Sequence, residues 1–212
     1  MSRKIITKNI KSLPRTKLAL MRDVMRNKIS FKKPILFTNM GINGAGKTYL
    51  SRNMAFDFKI VHLSSAIIRK NINPKPLYSS KENQKIYNIA KDLIQEILSR
   101  GISVIYDCNA SFKELRIKLR KIAKKCNANY LLLWIHTPEK VANRRVKKRK
   151  MIKSKKERKY QTIITPKIIK IYQNKKYEFP KKDENYVVVK GNIPYKKQRK
   201  LLLQHLNYVK FI

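Results

Sequence analysis

Residues 41–48 read Gly-Ile-Asn-Gly-Ala-Gly-Lys-Thr, a G-x-x-x-x-G-K-S/T spacing whose chemistry is the holding of a polyphosphate. Three glycines let the chain curl until successive backbone N–H groups face an anion, and a helix that starts there points the positive end of its dipole at it. The ammonium of Lys47 suits the β- and γ-phosphates of ATP, and the Thr48 hydroxyl suits Mg²⁺. The expected nucleotide contacts are therefore Gly41, Asn43, Gly44, Ala45 and Gly46 of the loop, then Lys47, Thr48 and Tyr49 at the helix start. A plain flexible turn needs neither the Lys-Thr ending nor an apolar run before it.

Two other groups carry chemistry. Asp107 closes the apolar run 102–106 in a chain with only 12 acids, where it can hold Mg²⁺ through water or meet a hydroxyl acceptor. Its bland alternative is to cap the turn that contains Asn109. Arg144, Arg145 and Arg149 form the second group, and the spacing of four puts Arg145 and Arg149 on one helix face. Two guanidinium groups there can close over a transferring phosphoryl group, whereas a merely solvated basic face is the alternative.

These residues need elements to position them. The apolar run 34–38 before the loop and the stretch 49–56 after it read as strand and helix, the context that makes the loop pattern meaningful. Further strands are expected at 59–63, 102–107, 130–135 and 186–189. Helices are expected at 81–100, with Ile86, Ile89, Ala90, Leu93 and Ile97 on one face and a stop at Gly101, and at 112–126, 138–150, 166–175 and 195–208. Strands alternating with helices imply an α/β fold, a parallel sheet of about five strands covered on both faces, with chemistry beyond the strands' carboxyl ends. Residues 1–33 read as a basic extension whose only acid is Asp23, with a helix expected at 16–26, and residues 34–212 as the domain.

Composition bounds the partners. With 52 Lys and Arg against 12 Asp and Glu, the formal charge is +40, which attracts nucleic acid or ATP. The excess is mostly Lys spread along the whole chain beside abundant Ile and Asn, which an A+T-rich coding sequence produces without any selected partner. No apolar run approaches the roughly 20 residues that span a bilayer, so no membrane partner is expected. Cys108 and Cys126 stand singly, which suits a reducing compartment, and the expected setting is the cytoplasm. His62, His136 and His205 lack metal-ligand spacing and read as structural residues, Trp134 as core, and Cys108 as a small buried thiol. Tyr172, Tyr177 and Phe179 amid lysines suit either base stacking or ordinary packing.

Taken in order, the pieces resemble the P-loop kinases of the polynucleotide-kinase and zeta-toxin type, which also go by the names AAA domain and ATP-binding protein although they do not form ring ATPases. The pieces are the loop 41–48; Ser64-Ser65-Ala66-Ile67-Ile68-Arg69; Tyr106-Asp107-Cys108-Asn109; Arg116; Thr137-Pro138-Glu139 followed by Arg145 and Arg149; and Phe179-Pro180-Lys181-Lys182-Asp183-Glu184. The resemblance implies a P-loop NTPase fold, Mg²⁺ and ATP as cofactors, and transfer of the γ-phosphoryl to a hydroxyl acceptor. That acceptor is a polynucleotide 5′-hydroxyl or a small molecule. It further implies Lys47, Asp107, Arg145 and Arg149 as catalytic, Thr48 and Asp107 on the metal, Arg69 and Asn109 on the acceptor side, and a kinase-like lid around 138–160. One departure stands out. Where the pattern has an Asp three residues before Arg69, this chain has Ala66, and a methyl group cannot take a proton. Either Asp107 takes it, or the acceptor reacts with little base assistance, or the chain is a nucleic-acid-binding protein or NTPase that binds ATP without transfer.

Overall fold

Ile35, Leu36, Phe37 and Met40 point alternately to opposite faces, and all are buried, which only a strand covered on both sides satisfies. The computed structural model describes residues 31–73, 76–150 and 178–212. In it this strand, β1 (Ile35–Met40), is the middle of a five-stranded parallel sheet. β1 pairs with β3 (Val104–Asp107) on one side, Phe37 opposite Ile105, and with β4 (Asn129–His136) on the other, Phe37 opposite Leu131. β2 (Val61–Ser64) lies outside β3 and β5 (Tyr186–Lys190) outside β4, in the order β2-β3-β1-β4-β5. All five expected strands are present, with ends shifted by one or two residues.

Helical spacing covers the two faces. α1 (Lys47–Phe58) buries Leu50, Met54 and Phe58, successive one-turn neighbours, against Ile35, Phe37 and Leu131. α6 (Tyr195–Tyr208) adds Leu202 and Leu206 to the same core. On the other face α3 (Ser80–Ser99) and α4 (Lys113–Lys125) bury Ile86, Ala90, Ile94, Leu119 and Ile122 against Leu36, Met40, Val104 and Leu132. Ile89 and Leu93, expected on that stripe, are half-buried at its margin. The Ser79 hydroxyl accepts the Glu82 N–H at the start of α3, and Gly101, left-handed at φ 75°, follows its end. α5 (Glu139–Lys150) follows β4.

α2 (Ser65–Ile72) departs from expectation, because its eight residues leave β2 without a linker and are too few for a helical period to show. The helices expected at 16–26 and 166–175, and the lid stretch 151–160, lie outside the described residues, as do Tyr172 and Tyr177. No helix among the described residues is long and apolar enough to cross a membrane.

Arg116 of α4 is completely buried. Its Nε and Nη2 donate to the two carboxylate oxygens of Glu184 at 2.7 and 2.9 Å, and its Nη1 donates to the carbonyls of Ala110 at 3.2 Å and Glu178 at 2.9 Å. Burial works against an ionised Glu184. The Arg116 hydrogen bonds, the Lys181 N–H and the Arg116 and Arg120 charges outweigh it and hold the carboxyl below its ordinary value.

Arg116→Ala leaves Glu184 buried without its counter-charge and should destabilise the protein by about 3–5 kcal/mol in urea unfolding at neutral pH. The pH dependence has a definite sign. Because the folded Glu184 carboxyl sits below its ordinary 4.5, its stabilisation is complete above that pH and disappears as pH falls through the lower folded value. Glu184→Gln should start less stable and lose less on acidification below about pH 4.5; parallel losses would contradict this pairing.

Candidate active site

The loop 41–48 leaves the carboxyl end of β1, where a parallel sheet with helices on both faces opens its crevice. Gly44 at φ 84° and Gly46 at φ 108° take the left-handed backbone that the curl requires. Gly44 also has no room for a side chain, since a Cβ there would lie 2.3 Å from the Ala142 carbonyl oxygen of α5. The Lys47 ammonium donates to the carbonyls of Gly41 at 2.7 Å and Ile42 at 3.0 Å, so it lies along its own loop. Asn43 and Thr48 are half-buried, Ala45 is buried and Tyr49 is exposed.

Asp107 ends β3 opposite Ser64 and is 6% exposed. Its Oδ1 accepts the Asn39 amide at 3.3 Å, its Oδ2 lies 3.3 Å from His62 Nε2, and its carbonyl accepts the Ser65 hydroxyl at 3.0 Å. Asn39 Nδ2 also donates to Ser51 Oγ of α1 at 2.5 Å, and that hydroxyl donates to the Lys47 carbonyl at 3.1 Å. A continuous polar bridge thus runs from the acid at the end of β3 to the first turn of the helix that follows the loop. Sequence reading missed Asn39 and Ser51 and set His62 aside as structural. The one available signal was a polar amide inside the apolar run of β1. Asn109 accepts the Ser111 hydroxyl at 2.7 Å, and burial, followed by the neighbouring Asp107 charge, pushes the Cys108 thiol well up, so it stays neutral.

Arg69 and Ala66 share α2. The Arg69 guanidinium forks onto Glu82 at 2.5 Å and Asn83 at 2.7 Å of α3 and stacks 4.4 Å from the Tyr78 ring centre. Burial opposes the Glu82 charge, but the Tyr78 N–H and Arg69 outweigh it and hold that carboxyl below its ordinary value. Arg69 is thereby built into the wall between α2 and α3.

From the outside the loop is gripped by three residues. Thr137 donates to the Ala45 carbonyl at 2.8 Å. Arg145 Nη1 donates to Gly191 O at 3.0 Å and, more weakly, to Gly44 O and Ala45 O at 3.4 Å. A Cβ on Gly191 would come within 2.1 Å of Thr137 Oγ1, so the chain after β5 passes here only as glycine. Arg144 is exposed. Arg149 stands one turn beyond Arg145 in α5, its side chain outside the described residues.

The donor set suits a nucleotide with Mg²⁺. Left-handed glycines curl the loop, an ammonium stands on it, the Thr48 hydroxyl lies in the first turn of α1, and the Asp107 carboxylate ends β3. Among the described residues no three His, Cys, Asp or Glu side chains cluster, and Mg²⁺ bound with phosphates asks for only one or two protein oxygens. Beside the site, half-buried Trp134 packs 5.4 Å from Phe179, which is 64% exposed, and 6.3 Å from Tyr186.

The AAA domain family matches residues 36–164, more than half of the chain. No curated protein matches it. Among solved structures, the chain is similar to a gluconokinase from Sinorhizobium meliloti 1021, with 18% identity over 85% of this chain and 95% of that one and a TM-score of 0.58. It is similar to the APS kinase of Mycobacterium tuberculosis in complex with AMPPNP and APS, with 16% identity over 82% and 98% and a TM-score of 0.58. It is also similar to Kti12 of Chaetomium thermophilum in complex with ADP-AlF3, with 14% identity over 81% and 97% and a TM-score of 0.59. At such identities the likeness is one of fold, and the fold is that of the P-loop NTPase kinases.

Two left-handed glycines separate strain from crowding. Gly44→Ala adds a collision with the α5 backbone to a strain of about 1–3 kcal/mol, and should lower both the melting temperature and the affinity for a fluorescent ATP analogue. Gly101→Ala, equally left-handed but with nothing within 4 Å of its Cβ, should lower the melting temperature and leave nucleotide affinity unchanged.

Proposed function

Because the chain belongs to the AAA domain family and has the P-loop kinase fold, we propose that it is an ATP-dependent phosphotransferase that moves the γ-phosphoryl of ATP to a hydroxyl acceptor. The observation that carries this reading is the linkage of the Lys47 loop to a buried carboxylate, Asp107, through Ser51 and Asn39. Loop N–H groups and Lys47 bind the phosphates, while Thr48 and Asp107 hold Mg²⁺. When bound, the ion neutralises charge that develops between the β- and γ-phosphates. Arg145 steadies the loop by its carbonyls, and Arg149 supplies positive charge to the transferring group. Arg69, fixed by Glu82 and Asn83, holds the α2–α3 wall on the acceptor side, with Asn109 on the loop after β3.

Ala66 leaves no general base in the usual place. A loose phosphoryl-transfer transition state asks chiefly for position and charge stabilisation, so transfer proceeds without a dedicated base, more slowly. The same alanine favours the second reading, an NTPase or nucleic-acid-binding protein that holds ATP without transferring phosphate. The acceptor classes to compare are a polynucleotide 5′-hydroxyl, to which the +40 charge is suited, and small sugars or nucleosides. We take 34–212 as the kinase-like domain, 138–160 as its lid and 1–33 as a basic extension, in a cytoplasmic protein.

Incubation with γ-labelled ATP, Mg²⁺ and each acceptor class should put label on one acceptor and none in Lys47→Ala. Arg149→Ala should lower kcat about 10²-fold with little change in KM. Free phosphate alone would establish the NTPase reading, and an unaffected Arg149→Ala would remove that arginine from the chemistry.

A further inference from the structure

We propose that Asn39, at the carboxyl end of β1, is a positioning residue that aims the Asp107 carboxylate at Mg²⁺ and ties it to the first turn of α1. The inference rests on the Mg-ATP reading above and adds a residue that belongs to none of the motifs.

Asn39 is completely buried, and its neighbours on the same face of β1, Ile35 and Phe37, are apolar. A primary amide in that setting is unfavourable unless its hydrogen-bonding groups are met. Its Nδ2 meets two partners, Ser51 Oγ at 2.5 Å and Asp107 Oδ1 at 3.3 Å. The amide orientation follows from chemistry, because the Ser51 hydroxyl gives its proton to the Lys47 carbonyl and can only accept from Asn39, which must therefore present its NH₂ group. With His62 Nε2 3.3 Å from Oδ2, both carboxylate oxygens are fixed from inside the fold. The Asn39 carbonyl accepts the Ala110 N–H at 2.7 Å, which locks the end of β1 to the loop after Asp107.

One atom is left over. Among the described residues no donor reaches the buried Asn39 Oδ1, which leaves it open to a donor from outside the fold. Water is the donor small enough to reach it, and beside a carboxylate that holds a hydrated cation, water is what the site brings. Asn39 thus does what partners behind a metal-binding carboxylate do in general, orienting it and joining its hydration.

The test is the magnesium dependence of nucleotide binding in the full chain, read with a fluorescent ATP analogue titrated with Mg²⁺ and with EDTA as the metal-free reference. Asn39→Leu keeps the shape and removes both hydrogen bonds. It should bind nucleotide in EDTA as the wild type does, yet need roughly tenfold more Mg²⁺ to reach half of the magnesium-dependent gain. Ser51→Ala, a change a helix tolerates, should shift the Mg²⁺ midpoint in the same direction by less. In an Asp107→Ala background, Asn39→Leu should shift it no further. A purely structural Asn39 would lower the melting temperature with the midpoint unmoved in both single variants, and that result overturns the proposal. A wild type whose nucleotide affinity ignores Mg²⁺, while Lys47→Ala still abolishes binding, would overturn the metal assignment of Asp107 and this inference with it, and leave the loop reading intact.

Discussion

A guanidinium removed entirely from water must be met by acceptors on all sides, and Arg116 meets that demand by drawing two separate stretches of chain to its own helix. Glu184 supplies both oxygens of its carboxylate, Glu178 its carbonyl, and Ala110 its carbonyl. The first two lie in the segment that leads into β5, and the third lies in the loop that follows Asp107. Removing any of these acceptors would leave charge stranded in a medium that solvates it poorly. The edge strand and the loop after β3 are therefore held in one arrangement. Through β5 the same constraint reaches Gly191, which lies against the outer side of the phosphate loop.

The scarcity of acids sharpens this logic. With 12 carboxylates among 52 cations, a randomly placed carboxylate would be neutralised many times over, yet several acids sit where two elements must be joined. Glu184 joins α4 to the approach to β5, and Glu82 joins α3 to α2 through Arg69. Asp57 joins α1 to α6 through Tyr195 and Arg199. Asp107 differs, being met by an amide and an imidazole rather than by a Lys or Arg. Through Asn39 and Ser51 it is tied instead to the first turn of α1, the helix that follows the phosphate loop.

Much of this was legible in the chain before any fold was known. The five strands are visible because buried parallel strands are nearly pure apolar runs, and the phosphate loop because it must combine left-handed glycine with Lys-Thr at one spacing. α2 was not legible, since its eight residues carry hardly more than two turns of periodicity. Asn39 was hidden for a different reason. Its role comes from facing Ser51 and Asp107 across the sheet and helix, a relation that exists only after folding. Gly191 and Thr137 are similar, their meaning lying in a close approach to Ala45 from distant stretches of sequence. Arg116, visible only as a member of a resemblance, proves to hold the fold together. Arg69 likewise shows an anchoring contact that no spacing could reveal.

The substitution at Ala66 is consistent with how the remaining polar groups are arranged. A carboxylate that served as proton acceptor would need access to the acceptor hydroxyl and freedom to lose its hydrogen-bond partners as it takes up charge-neutralising hydrogen. Asp107 is 6% exposed, and both its oxygens are already engaged by Asn39 and His62. Those two contacts hold the carboxylate in one place, which on the proposed reading suits a cation better than a travelling proton. On the proposed reading, a chain with a fixed carboxylate for the metal, a phosphate loop braced by Thr137 and Arg145, and Ala66 where an acid is expected depends on position and charge for whatever transfer it performs. Phosphoryl transfer is the reaction for which those two suffice, since little proton movement precedes cleavage of the bond to the leaving phosphate.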